Sequence, residues 1–469
     1  MRDGVIETDY LVVGAGASAM AFVDALTSEG DAEVVLVDRR HDPGGHWNDA
    51  YSFVRLHQPS ANYGVNSRFL GTDSIDTSGP NAGYYERARG VEIRAYYRTV
   101  LDGWLPSGQV SFYGGHEYVA GGPGEHTLVS RLTGRTVPVR VRRKLVDATC
   151  LETSVPATHT PGFTVDPEAT VVPVGELVGL AEAPGGYTIL GAGKTAMDAC
   201  TWLLENGVDP DRIRWVRPRD SWLIDRGSVQ PGELVAATME GFAVAVESVA
   251  QASTLDDLFR RLESSGLLFR LDPAVAPTMF RGATLSEVER DALRQIEQVA
   301  RLGRVRHVGS DRIVLDHGEV PTSRDTVHVD CTAYGFANAP ARPIFEPDRI
   351  TLQSVTSGFI TFNSALLGYI ETARDEVAEQ NRLCEPGVQP SRAEDWLDMM
   401  CGSHERVRRL TAESDVRAWL DRSRLYLTRG LRNHLGDPRM RSAMTRFSTN
   451  LEPALANIKP LLATARPPG

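Results

Sequence analysis

Tyr10-Leu11-Val12-Val13-Gly14-Ala15-Gly16-Ala17-Ser18-Ala19 is the stretch on which the fold of this chain turns. Four apolar residues of buried-strand type stop at a glycine, and the helix formers from Ala17 to Glu29 then run to Gly30. A second apolar strand, Glu33 to Val37, ends at Asp38. A G-x-G-x-x-A turn between a strand and a helix has a physical reason for each small residue. Gly14 allows the tight turn, Gly16 allows close backbone approach to a pyrophosphate, and Ala19 lets helix and strand pack. The pyrophosphate then rests on the helix N-terminus, where unpaired N–H groups and the positive dipole end meet its charge.

The arrangement recurs. Tyr187 to Leu190 leads into Gly191-Ala192-Gly193-Lys194-Thr195-Ala196, a helix to Gly207, and a strand from Ile213 to Val216. Two copies of one supersecondary unit imply two dinucleotide-binding domains, in an α/β chain with two Rossmann-like units. The residue closing the second strand separates the two sites. Asp38, some twenty residues beyond Gly14, would accept hydrogen bonds from a ribose hydroxyl. The aligned residue in the second copy is Arg217, with Arg219 two further on. A guanidinium there would pair with a 2′-phosphate, which an acid would repel. Lys194 reads equally as a charge at the phosphates or as a solvated first-turn residue.

Composition narrows the function classes. The chain has 469 residues, enough for two or three domains, and 42% hydrophobic with 24% charged residues is a globular balance. A net charge of −11 argues against nucleic-acid binding. Five scattered cysteines without C-x-x-C spacing fit a reducing compartment and give neither a disulfide framework nor a zinc site. No run approaches the ~20 apolar residues of a membrane span, so the expected location is the cytoplasm, away from membranes. No Ser-His-Asp constellation or metal-ligand spacing stands out, so hydrolase and metalloenzyme readings gain no support.

The expected organisation has a first domain over 1–170, a second over 171–335 with a helical insertion at about 232–301, a return to the first domain over 336–390, and a helical C-terminal segment over 391–469. Arg- and Glu-rich residues from Glu371 onward, at helical spacing, read as packed helices whose charged faces are ordinary solvated surface, with a lid or the surface of a homodimer as the alternatives.

The Gly14 turn, the acid at Asp38, Gly44-Gly45-His46-Trp47, GAGKTAMD at Gly191 to Asp198 and DCTAYG at Asp330 to Gly335 together resemble the two-dinucleotide-binding-domain flavoproteins. Among these the chain is most similar to the flavin-containing and Baeyer–Villiger-type (class B) monooxygenases. The resemblance covers roughly residues 8 to 371. It implies FAD at the first turn, with Arg39, Gly45, His46 and Trp47 beside it, and NADPH at the second, whose domain is inserted into the FAD domain. It also implies that Arg55 to Ser60 runs along the flavin, with His57 and Gln58 as candidates for the polar group near its reactive carbon. Asn363 would stand where a helix N-terminus meets the pyrimidine side of the ring, or serve as an ordinary N-cap of that helix.

The implied activity is oxygenation of a small organic substrate by O2 through a C4a-oxygenated flavin. One departure keeps other readings open. The family's F-x-G-x-x-x-H fingerprint is missing, and Val171-Val172-Pro173-Val174 stands where the histidine would fall. An NADPH-dependent reductase or dehydrogenase of the same architecture, and a regulatory flavoprotein that keeps its nucleotide sites for folding, are the alternatives.

Overall fold

The strand β1 (Ile6–Val13), the helix α1 (Ala17–Ser28) and the strand β2 (Val34–Asp38) form where the sequence places them. In this computed structural model residues 4–122, 124–151, 153–336 and 340–465 are described. Parts of the domains expected from the sequence, residues 1–3, 337–339 and 466–469, lie outside them.

β1 is flanked in parallel by β2 and by residues 139–147 of a long strand, and β2 is extended by β3 (Val110–Gly114). β4 (His116–Ala120) and β5 (His126–Ser130) add an antiparallel hairpin. The long strand, β6 (Thr136–Asp147), pairs with both β5 and β1. A strand from far down the chain, Arg349–Thr351, completes this sheet beside β6. The first unit is therefore assembled from both sides of the second.

Helix α2 (Gly90–Trp104) buries Ile93, Tyr97, Val100 and Leu101 in the same core. The second sheet is all parallel, in the order Val299–Ala300, Ile213–Val216, Gly186–Leu190, Thr326–Asp330, Thr170–Pro173. Its turn helix is α3 (Lys194–Glu205). Continuous apolar strands suit a parallel sheet covered on both faces, and Ile189, Leu190, Trp215, Val216 and Val329 are fully buried.

One expected boundary and the make-up of the insertion differ. Thr164–Val165 already pairs with Val305–Val308 in a sheet of the second unit, so the chain enters that unit before residue 170. The segment expected to be a helical insertion does carry α4 (Val235–Gln251), α5 (Leu255–Ser264) and α6 (Glu287–Leu293). It also carries Met279–Leu285, which joins Ser221–Asp225 and Leu268–Phe269 in a three-stranded sheet. The helical pattern of its neighbours hid this strand, whose Gly282 at φ +69° falls where the pairing register slips. Beyond it, α7 (Ile360–Ala373) lies against α1, where Gly368 gives the room: a Cβ there would stand 2.6 Å from the Phe22 carbonyl oxygen. The C-terminal helix, Pro438–Leu462, packs along α4. Among the described residues no helix is long and apolar enough to cross a membrane.

Candidate functional site

Gly14 adopts φ +97°, a left-handed conformation that favours glycine, and Ala19 is fully buried between helix and sheet. Gly16 caps α1 with no side-chain hydrogen bond, and no acidic residue lies in the first helical turn, so the helix N-terminus remains open to an anion. Gly45, at φ +57°, docks onto this turn so closely that a Cβ on it would lie 2.9 Å from the Gly16 Cα. Glycines far apart in the sequence thus meet backbone to backbone. Asp38 is fixed at the end of β2, where one carboxylate oxygen accepts the Ala15 N–H and the other the Arg40 N–H, each at 2.7 Å. Trp47 is buried and donates from Nε1 to the Tyr63 hydroxyl at 2.8 Å.

A cavity of about 780 Å³ opens on this cradle, toward the upper end of the roughly 300–1,000 Å³ range of ligand sites. Gly14, Gly16, Asp38, Arg39, Gly45, His46, Trp47, His57 and Gln58 all line it. The small-residue cradle, open helix end and fixed carboxylate suit a dinucleotide, and the cavity has room for its second half. The loop before α7, Ser357 to Phe359, and the first helical residue, Ile360, form another wall. Asn363 itself does not reach the cavity. It lies one turn into the helix, fully buried, accepts the Val355 and Thr356 N–H groups, and donates to the Thr356, Gly358 and Phe359 carbonyls. The expected flavin contact is thus a clamp on the loop before the helix.

In the second unit Gly191 is left-handed at φ +127°, and a Cβ there would meet the Cys331 carbonyl oxygen at 2.5 Å. Gly193 caps α3 with no side-chain bond, and Thr195 stands in the first turn. Two expected contacts are redirected. Lys194 is neither left free for phosphates nor fully solvated, because its ammonium pairs with the Asp198 carboxylate, which also accepts the Tyr51 hydroxyl at 2.6 Å. Arg217 is only 4% exposed; it pairs with Asp220 at 3.2 Å and lies over the Trp215 ring. Burial first, then the nearby Arg301 cation, lowers its pKa, and the guanidinium faces inward. Arg219 remains at the surface. Arg281 and Arg304 lie over the Tyr334 ring, and the charges of both act on Arg219.

Comparison with known proteins fits this geometry. Residues 12–73 match the family described as an NAD(P)-binding Rossmann-like domain. Over 464 residues the chain is 42% identical to the uncharacterized protein Rv2000 of Mycobacterium tuberculosis, covering 98% of this chain and 85% of that one. The counterpart in Mycobacterium bovis matches to the same extent.

The chain belongs to the family of these mycobacterial proteins.

Among solved structures, ε-caprolactone-bound cyclohexanone monooxygenase matches with a TM-score of 0.50 at 11% identity, over 95% of this chain and 98% of that one. Steroid monooxygenase bound to NADP also gives 0.50, at 15% identity, over 78% and 85%. This family member therefore has the α/β architecture of the class B flavin monooxygenases, with two Rossmann-like units and a helical C-terminal segment.

Several cavity residues carry no motif. The hairpin residues His116 to Tyr118 close the cavity near Asp38 and Arg39. Farther along stand Ile224, Phe242, Leu267 and Leu268 with Trp396, Met399 and Met400, which share one apolar cluster. The last two lie at a π-helical turn, Asp398–Gly402, a departure from α geometry that is frequent at functional sites. Such a wall comes from chain segments more than a hundred residues apart, so no local pattern announces it.

Among the described histidines with lowered pKa, His46, His57 and His404 are shifted furthest. Burial lowers the pKa of His404 to about 4, with its ring between Phe242 and Phe447. Burial and Arg40 lower His46 to about 4. Burial, then Lys194, Arg226 and Arg87, lower His57 to about 3. Below the unfolded histidine value of about 6.5 the unfolded chain binds more protons than the folded one. Stability should therefore be full above that pH and fall toward pH 4. The expected loss between pH 7 and pH 5 is roughly 1–2 kcal/mol per histidine. Thermal unfolding across this range checks the slope, which His404→Leu should flatten.

Proposed function

We propose that the protein is an FAD- and NADPH-dependent monooxygenase acting on a small, uncharged organic molecule. One observation carries this reading. The cavity runs from the first glycine turn to an apolar chamber walled by Phe242, Leu267, Leu268, Trp396, Met399 and Met400. A room of this kind excludes bulk water and receives an apolar guest beside the reacting centre. Bound FAD would supply hydride acceptance from NADPH and, once reduced, the activation of dioxygen.

The chain's own residues divide the remaining work. The α1 N-terminus and the Gly16–Gly45 contact take the pyrophosphate, Asp38 takes the ribose, and the first turn of α7 directs its positive end at the cavity. His57, neutral at physiological pH, and Gln58 present hydrogen-bonding groups without adding charge. Arg219, with Arg281 and Arg304, takes the coenzyme 2′-phosphate in place of the inward-facing Arg217.

The reductase reading draws on the strand Thr170–Pro173 and the buried Val174 at the position of the absent histidine. Oxygen balance separates the two. With ketones, sulfides and amines of rising size, a monooxygenase consumes O2 in step with oxygenated product, whereas a reductase returns all oxygen as peroxide or takes up none. If His57 and Gln58 serve oxygen transfer, His57→Ala and Gln58→Ala should raise peroxide per NADPH by about threefold or more. An unchanged peroxide ratio in both variants would remove them from the oxygen step.

A further inference from the structure

His57 and Gln58 lie on an irregular segment with no regular secondary structure to hold it, yet two consecutive carbonyls of that segment are gripped from one side. Arg87 donates from Nη1 to the Leu56 carbonyl at 3.3 Å, and Arg226 donates from Nε to the His57 carbonyl at 3.3 Å. The Thr284 hydroxyl also donates to the His57 carbonyl. Both guanidiniums are tied to one carboxylate: Glu289 Oε1 lies 3.1 Å from Arg87 Nη2, and Oε2 accepts from Arg226 Nη2 at 2.5 Å. Glu289 is in turn fixed as the third residue of a capping box at the start of α6, accepting the Ser286 N–H at 2.9 Å.

The cluster is deeply buried, with the Arg226 side chain 0% exposed. None of Arg87, Arg226 and Glu289 lines the cavity. Burying two cations on one anion contributes little net stability, since apolar residues of equal volume do as well or better. Its distinctive product is geometric: two planar, multi-donor groups set by one carboxylate fix two adjacent peptide units.

We propose that Glu289, acting through Arg87 and Arg226 and joined by Thr284, is a positioning residue for the His57–Gln58 segment. The proposal rests on the reading of that segment as the polar face of the oxygen site. It gives the insertion a task, holding a part of the first unit that faces the cofactor cavity.

Thr284→Val and Glu289→Gln test it in two measurements. Thr284→Val keeps shape and leaves the ion cluster intact, so it stays informative if Glu289→Gln fails to fold. In the flavin-free protein, hydrogen exchange of the Leu56, His57, Gln58 and Ser60 amides should rise about tenfold in Thr284→Val and further in Glu289→Gln, with exchange in α1 unchanged. In the FAD-loaded protein, peroxide released per NADPH should rise about twofold or more in the same order. Wild-type exchange at 56–60 in folded variants overturns the proposal, as does raised exchange with an unchanged peroxide ratio in an enzyme that oxygenates substrate. A wild-type protein that forms no oxygenated product, but whose variants show the raised exchange, supports the grip and refutes only the oxygenase reading.

Discussion

Gly16→Val should yield a folded protein that purifies colourless, its flavin affinity lowered by about a hundredfold or more. The structure separates folding from binding at this position. Gly16 sits at φ −78°, which any residue adopts, and a Cβ there would meet its nearest atom, the Gly45 Cα, at 3.6 Å, an ordinary contact. Backbone torsion and the added Cβ are both tolerated there. The valine methyls would instead project over the open N-terminus of α1, on the cavity wall where the pyrophosphate would rest. Each charge-assisted bond from the helix end is worth about 1.5–3 kcal/mol. Losing two of them therefore costs roughly 3–6 kcal/mol, enough to abolish retention through purification. Circular dichroism and the ratio of flavin to protein absorbance check both halves. Full flavin occupancy in the folded variant would remove FAD from this turn.

The second large effect concerns coenzyme choice. Arg219→Ala combined with Arg304→Ala should weaken NADPH binding by about tenfold or more per residue while leaving NADH nearly untouched, since a guanidinium–phosphate pair contributes roughly 1.5–3 kcal/mol. Arg217→Ala should behave otherwise. Its guanidinium is buried over Trp215 and paired with Asp220, which retains a second partner in Arg301 at 2.9 Å. The expected result is a lower melting temperature with the NADPH-to-NADH preference intact. Titration of both coenzymes against the three proteins decides it. Lost preference in Arg217→Ala alone would return the 2′-phosphate to that residue.

These two arginines show where local reading stops. The strand ending at Val216 and the presence of guanidiniums just beyond it are legible, because apolar runs and turn glycines act over a few residues. Which guanidinium turns outward depends on Trp215 and Asp220, which hold Arg217, and on Arg281 and Arg304, which arrive from distant parts of the chain. Asn363 teaches the same lesson. A polar residue near a helix start reads as a cap or a ligand, yet the loop from Val355 to Phe359 folds over it and takes all its hydrogen bonds.

By itself the sequence determined the two strand–turn–helix units, the small residues at Gly14, Gly16, Ala19, Gly191, Gly193 and Ala196, the acid at Asp38 and the helical tail. All of these follow from short-range demands: backbone torsion, helix packing and the periodicity of burial. The tertiary structure alone decided that Gly45 closes on Gly16, and that the insertion and the tail wall one apolar chamber. It also decided that Glu289 reaches back through two arginines to hold Leu56 and His57. Each is a contact between residues tens to hundreds of positions apart. Such contacts are chosen by the packing of whole layers against one another, and a chain read in windows carries no record of which of its many apolar and charged residues will meet.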